Sequence, residues 1–101
     1  MLNNGQRLSF EWDADKASVN LRKHQVSFGE ASTVFDDPLA RLNYDRDHSF
    51  DQDREIIVGH SIFERLIIVS FTERTVHRIR IISARLANRR ERRSYEEDET
   101  T

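Results

Sequence analysis

The chain has no cysteine, a single proline and no long apolar run. Without cysteine, disulfides and thiolate metal sites are excluded, and nothing points to an oxidising compartment. A cytoplasmic protein is the expectation. No window approaches the ~20 apolar residues a membrane helix needs, and the start, MLNNGQRLSFEWD, lacks a basic segment followed by an apolar stretch. A soluble, unprocessed protein with no membrane partner is expected. Paired histidines are missing too: the four stand at His24, His48, His60 and His77 with no HxxxH spacing, which gives zinc little support. The oxygen-rich run DRDHSFDQD, Asp45 to Asp53, lacks the central glycine and terminal glutamate of a calcium loop. No metal and no other cofactor is expected.

What is present is charge, unevenly placed. The 101 residues suit one domain, 1–101, and are 37% hydrophobic and 34% charged, thin for a core unless the apolar residues cluster. They do cluster, mostly after residue 55. The net charge of −2 is the balance of three blocks: residues 1–53 hold 6 basic and 10 acidic groups, residues 54–93 hold 10 and 4, and residues 94–101 hold none and 4. Every basic residue of the middle block is arginine, whose planar fork binds phosphate bidentately and stays charged at any cellular pH. Such a block is either a polyanion site or a salt-bridged surface. The acidic end, Glu96 to Glu99, reads as a solubilising tail outside the core.

SFEWD, Ser9 to Asp13, reads as a short strand with Phe10 and Trp12 on one side, and Asp13 as a helix cap. Ala14, Ala17, Leu21 and His24 recur at helical spacing, giving an amphipathic helix to His24. SFGE, Ser27 to Glu30, matches a capping box in which the serine hydroxyl and the glutamate carboxylate each take a free backbone N–H. The short helix it opens presents Phe28, Ala31 and Val34 or Phe35 to the core and ends before Pro38. Leu42 and Tyr44 then alternate as in a half-buried strand. EIIVGH (Glu55 to His60), LIIVSFT (Leu66 to Thr72) and VHRIRIIS (Val76 to Ser83) are rich in β-branched residues and separated by short polar links, and so form an antiparallel meander.

Opposing the last two strands with Phe71 facing Ile79 and Val69 facing Ile81 leaves Thr72 facing Arg78 and Ser70 facing Arg80 on the other side. A slip of two residues preserves that partition and a slip of one destroys it, so Arg80 belongs on an open face. Asn88 with Glu91 opens a last helix that runs to about Glu97. Its polarity, basic first and acidic last, opposes the helix dipole, which makes Arg89 to Arg93 more economical as contacts for a phosphate or an acidic protein segment than as surface.

FEWD near the start, NLRKHQVSF at 20–28, ASTVFDDP at 31–38, HS at 48–49 and RIRIISARLANRRERRSYEE at 78–97 together resemble the BrnT family, in order and over nearly the whole chain. The resemblance implies an α+β, RelE-like fold: two N-terminal helices, a central antiparallel sheet of four meander strands with a possible short N-terminal strand, and a C-terminal helix. It also implies the toxin of a type II toxin-antitoxin system, a ribonuclease that arrests translation. The implied partners are RNA, on or off the ribosome, and a BrnA-like ribbon-helix-helix antitoxin. The resemblance further implies a heterotetramer of the two, in which the antitoxin alone contacts promoter DNA. This sequence departs from the family pattern at Gln25 and Glu64, where glycine is expected. Each position is read as one of positive φ, where a side chain costs about 1 kcal/mol.

Cleavage by the RNA 2′-hydroxyl needs a base, cations to offset charge on the pentacovalent phosphate, and an acid for the 5′-oxygen. Arg65, Arg74, Arg78, Arg80 and Arg85 form the pool of cations, and the resemblance favours Arg65, Arg74, Arg80 and Arg85 within it. Each taken singly is equally well a structural ion pair. Thr72 is a phosphate or ribose ligand or simply a strand hydroxyl. Tyr95 donates a proton, stacks on a base, or packs the last helix on the sheet. Lys23 and His24 end the first helix; His24 is either the acid–base group or a helix-end residue on the apolar stripe. Arg89 and Arg92 join the phosphate-binding set. The competing reading is a non-catalytic nucleic-acid or protein-binding module with the same fold and basic face.

Overall fold

A computed structural model describes residues 7–42 and 54–99. Along the chain run β1 (Ser9–Glu11), α1 (Ala14–His24), α2 (Phe28–Thr33), a 3₁₀ turn (Val34–Asp36), β2 (Arg41–Leu42), β3 (Glu55–His60), β4 (Leu66–Thr75), β5 (Arg78–Leu86) and α3 (Arg89–Glu99). Tyr44, His48 and the connection Asp45 to Asp53 lie outside the described residues. No described helix is long and apolar enough to cross a membrane.

The strands form one sheet in the order β1-β5-β4-β3-β2. The meander from β2 to β5 is antiparallel, but β1 joins β5 in parallel, so the sheet is mixed. Alternation sets its two faces. One presents Ile57, Ile67, Val69, Phe71, Ile79, Ile81 and Ala84 to α1, α2 and the 3₁₀ turn, where Phe28, Ala31, Val34 and Phe35, with Val26 from the α1–α2 link, complete the main core. Phe35 is its aromatic hinge, with ring centroids 5.2 Å from Phe10 and 5.0 Å from Phe71. On the other face α3 covers the β3 side through Tyr95, which packs with Val58, Leu66 and Ala87 in a smaller cluster.

The register of β4 on β5 is shifted by two from the sequence expectation. Phe71 pairs with Ile81 and Thr72 with Arg80: the two-residue turn Val76–His77 sets Thr75 opposite Arg78, and an irregularity between Thr75 and Glu73 then brings Glu73 opposite Ile79. A further shift between Ser70 and Phe71 opposes Ser70 to Ser83 and Val69 to Ala84. The bulge absorbs one residue of β5, so apolar parity holds along both strands despite the change of register.

Asp13 caps α1, its Oδ1 accepting from the Lys16 N–H at 3.0 Å. The buried stripe of α1 differs from the expected one: Leu21 is exposed, Ala17 half-buried, and Asn20 buried. The reason is polar. β1 pairs β5 only at Arg78, Ile79 and Arg80, which leaves the β5 edge bare at Ala84, and the Asn20 amide substitutes for a strand there. It accepts from the Ala84 N–H at 3.1 Å, donates to the Ala84 carbonyl at 2.9 Å, and donates to the Val26 carbonyl at 2.9 Å.

The capping box at Ser27 is half made. Ser27 Oγ accepts from the Glu30 N–H at 2.9 Å, but the Glu30 carboxylate turns to Arg65 and Ser61 instead. At α3 the box is reciprocal: Asn88 Oδ1 accepts from the Glu91 N–H and Glu91 Oε1 from the Asn88 N–H, both at 2.8 Å. The positions read as positive-φ are so. Gln25 has φ 58° and Glu64 φ 61°, and they are the non-glycine residues of positive φ among those described.

Candidate active site on the sheet face

The half of the second face that α3 leaves uncovered carries the chemistry. β1 lies beside β5 with Ser9, Phe10 and Glu11 level with Arg78, Ile79 and Arg80. Phe10 points into the core, which obliges Glu11 to project from the opposite face, where Arg78 and Arg80 also emerge. Glu11 Oε2 accepts from Arg80 Nη1 at 2.9 Å, and Oε1 lies 3.7 Å from Arg78 Nη1. All three side chains keep solvent access: 30% for Glu11, 38% for Arg80 and 59% for Arg78. Thr72 stands directly across from Arg80, and the Ser70–Ser83 pair follows one step further. The face is thus guanidinium, carboxylate and hydroxyl, as the parity argument required for Arg80.

Arg85 pairs with Ile68 on this side of the sheet, and its guanidinium grips the Glu91 carboxylate with both terminal nitrogens at 2.9 Å. That pair ties the end of β5 to the first turn of α3 and holds the Glu91 carboxyl below its ordinary value. Arg74 is exposed near the end of β4, and Arg89 and Arg92 are exposed on the first turn of α3. Arg89, Arg90, Arg93, Ser94 and Glu97 line a shallow groove along that helix.

Other residues singled out by sequence lie apart from this face. Arg65 closes the β3–β4 turn, on the side of the sheet that carries α2, and binds Glu30 there. It is separated from Arg80 by about 20 Å of strand at ~3.3 Å per residue, and by the thickness of the sheet. Tyr95 is fully buried beneath α3, its hydroxyl donating to the Leu39 carbonyl at 2.9 Å, with Arg41 over its ring and His60 against its edge. Lys23, exposed, and His24, half-buried, end α1 one turn beyond Asn20, at the β5 edge.

Glu11 and Asn20 escaped the sequence reading. Glu11 sits inside FEWD, where Phe10 and Trp12 dominate the pattern; the alternation that put both aromatics on one side already put Glu11 on the other. Asn20 is a polar residue at a helical core position, and only the length of β1 reveals what it satisfies.

A family model described as ribonuclease toxin, BrnT, of type II toxin-antitoxin system matches residues 12–91. The crystal structure of the Brucella abortus ribonuclease toxin BrnT is similar with a TM-score of 0.63 at 21% identity, covering 81% of this chain and 99% of that one. At that identity the likeness speaks for the fold. No curated protein matches the chain.

Proposed function

Because the chain belongs to the BrnT family of ribonuclease toxins of type II toxin-antitoxin systems, we propose that it is a metal-independent endoribonuclease that cuts RNA through its 2′-hydroxyl and arrests translation. The observation that carries this reading is the uncovered sheet face, where Arg78, Arg80, Thr72, Ser70 and Ser83 stand together with Glu11. Guanidinium groups aimed at one point offset the charge that grows on a pentacovalent phosphate, and hydroxyls beside them orient phosphate or ribose oxygens. Arg74, Arg85, Arg89 and Arg92 extend the positive surface from the sheet to α3 and take the flanking phosphates. In this reading Arg65 and Tyr95 act on the fold.

The same arginines fit an acidic protein segment, which is how a BrnA-like ribbon-helix-helix antitoxin would neutralise the enzyme in a heterotetramer, with promoter DNA held by the antitoxin. Purified protein incubated with RNA, with and without ribosomes and in the presence of a chelator, is expected to release fragments ending in 2′,3′-cyclic phosphate or 3′-phosphate. Retarded RNA without new ends would show a binding module instead. Salt dependence does not separate the two, since both weaken as counterions compete for the phosphates. Co-expression with a ribbon-helix-helix partner is expected to restore growth and yield a two-plus-two complex by light scattering.

A further inference from the structure

We propose that Glu11 is the general base of the cleavage reaction; the inference rests on the ribonuclease reading above. A 2′-hydroxyl needs an acceptor within hydrogen-bond reach, next to the cations that hold the phosphate. Among the described histidines, His24 ends α1 on the covered face and His60 packs on Tyr95 beneath α3; His77 adjoins the face in the β4–β5 turn, next to Arg78, with its Nδ1 buried. Most other described carboxylates near the sheet already have tasks: Glu30 holds Arg65, Glu91 holds Arg85 and the Asn88 N–H, Asp37 accepts from the His60 and Leu39 N–H groups, and Asp13 caps α1.

Glu11, its side chain 30% exposed, differs in having only arginines of the phosphate-binding face as partners among the described residues. Its place is fixed from behind. Phe10 is pinned against Phe35 in the core, so β1 cannot turn Glu11 away without withdrawing an aromatic ring. At 2.9 Å from Arg80 Nη1, the carboxylate occupies the place a phosphate oxygen would take. An arriving phosphodiester competes for Arg80 and Arg78 and leaves the displaced carboxylate beside the ribose. Glu11 then accepts the 2′-hydroxyl proton, the 2′-oxygen bonds to phosphorus, and the bond from phosphorus to the 5′-oxygen breaks. The leaving oxygen takes a proton from solvent, giving a 2′,3′-cyclic phosphate and a 5′-hydroxyl with no change of oxidation state.

The test is the cleavage rate at saturating protein on a short RNA, for the wild type, Glu11→Gln and Glu11→Ala. Glutamine keeps an oxygen for Arg80 and removes the basicity, so E11Q is expected to slow cleavage about 100- to 1,000-fold while RNA affinity stays within about threefold. Acetate added to E11A is expected to restore part of the rate. A substrate with sulfur at the 5′-bridging position needs no leaving-group proton and should leave the E11Q deficit in place. An E11Q rate within about threefold of wild type would reduce Glu11 to an anchor for Arg80. Rescue of E11Q by the sulfur substrate would make it the acid and overturn the assignment. A wild-type protein that makes no cyclic phosphate at all would instead sink the ribonuclease reading itself. Retained thermal unfolding of E11Q separates chemistry from misfolding, and the acetate arm decides the matter if that variant is unstable.

Discussion

Arg65 holds Glu30 with two nitrogens, Nε donating to Oε2 at 2.8 Å and Nη2 to Oε1, while Nη2 also donates to the Gln25 carbonyl at 3.0 Å. One guanidinium thereby joins the end of α1, the first turn of α2 and the β3–β4 turn. Glu30 is buried, and Ser61 Oγ adds a hydrogen bond at 2.7 Å. The Arg65 guanidinium, seconded by Ser61, holds the Glu30 carboxyl below its ordinary value of 4.5 against the opposing effect of burial. A depressed carboxylate stabilises the fold fully above its unfolded pKa and loses that contribution as pH falls through the folded one. Urea midpoints measured from about pH 7 down to about pH 3 should therefore fall less steeply for Glu30→Gln than for wild type. Arg65→Ala leaves a buried charge with only a serine, and should destabilise by about 2–3 kcal/mol at neutral pH. An unchanged midpoint for Arg65→Ala would return Arg65 to the cleavage chemistry.

Gln25 and Glu64 are the left-handed residues on either side of that guanidinium. A side chain at positive φ costs about 1–2 kcal/mol, and glycine recovers part of it against its larger unfolded-state entropy. Gln25→Gly and Glu64→Gly are each expected to stabilise by about 0.5–1 kcal/mol in thermal or urea unfolding. Because Arg65 touches the Gln25 carbonyl and directly follows Glu64, the double variant should depart from additivity. A drop in stability on either glycine substitution would refute the strain argument.

These positions show what the sequence disclosed and what it hid. Alternation in EIIVGH, LIIVSF and RIRII determined the faces of β3, β4 and β5, and a hydrophobic core enforces that parity whatever the register. Register itself escaped, since it depends on whether the turn is Val76–His77 or a longer link, and short polar turns look alike. The partners of charged groups escaped for a similar reason. Glu30 satisfied a local capping rule equally well, but a contact across 35 residues with Arg65 outcompeted the Ser27 N–H. Glu91, by contrast, satisfies its cap and Arg85 together, because β5 runs straight into α3 and brings Arg85 beside the helix start. The pairing of β1 with β5 is a contact between chain ends, and with it Glu11 and the role of Asn20 stayed out of reach.

Asn20 carries a specific expectation. Its amide makes both bonds to Ala84 and one to Val26. Asn20→Ala strands a buried N–H and two carbonyls, and should cost about 2–4 kcal/mol. Asn20→Asp keeps the acceptor for the Ala84 N–H, removes both donors and buries a charge, and should be at least as damaging. A loss below about 0.5 kcal/mol for either would mean that water satisfies the β5 edge.

Tyr95 and Arg80 together divide fold from chemistry. The Tyr95 hydroxyl donates to the Leu39 carbonyl, and its ring is sealed beneath α3 by Val58, Leu66 and Ala87. Tyr95→Phe keeps the ring and removes the bond to Leu39, so it should lower stability by about 1 kcal/mol and leave RNA cleavage intact. Arg80→Ala removes no core contact but takes a half-exposed cation from the phosphate site, so it should leave the unfolding midpoint nearly unchanged. Removing one preorganised charge at a reacting phosphate typically costs about 100- to 1,000-fold in rate. In an inducible strain Arg80→Ala should therefore relieve growth arrest and Tyr95→Phe should not. The inverse result, arrest retained in Arg80→Ala and lost in a stably folded Tyr95→Phe, would move the chemistry off the β5 face and under α3.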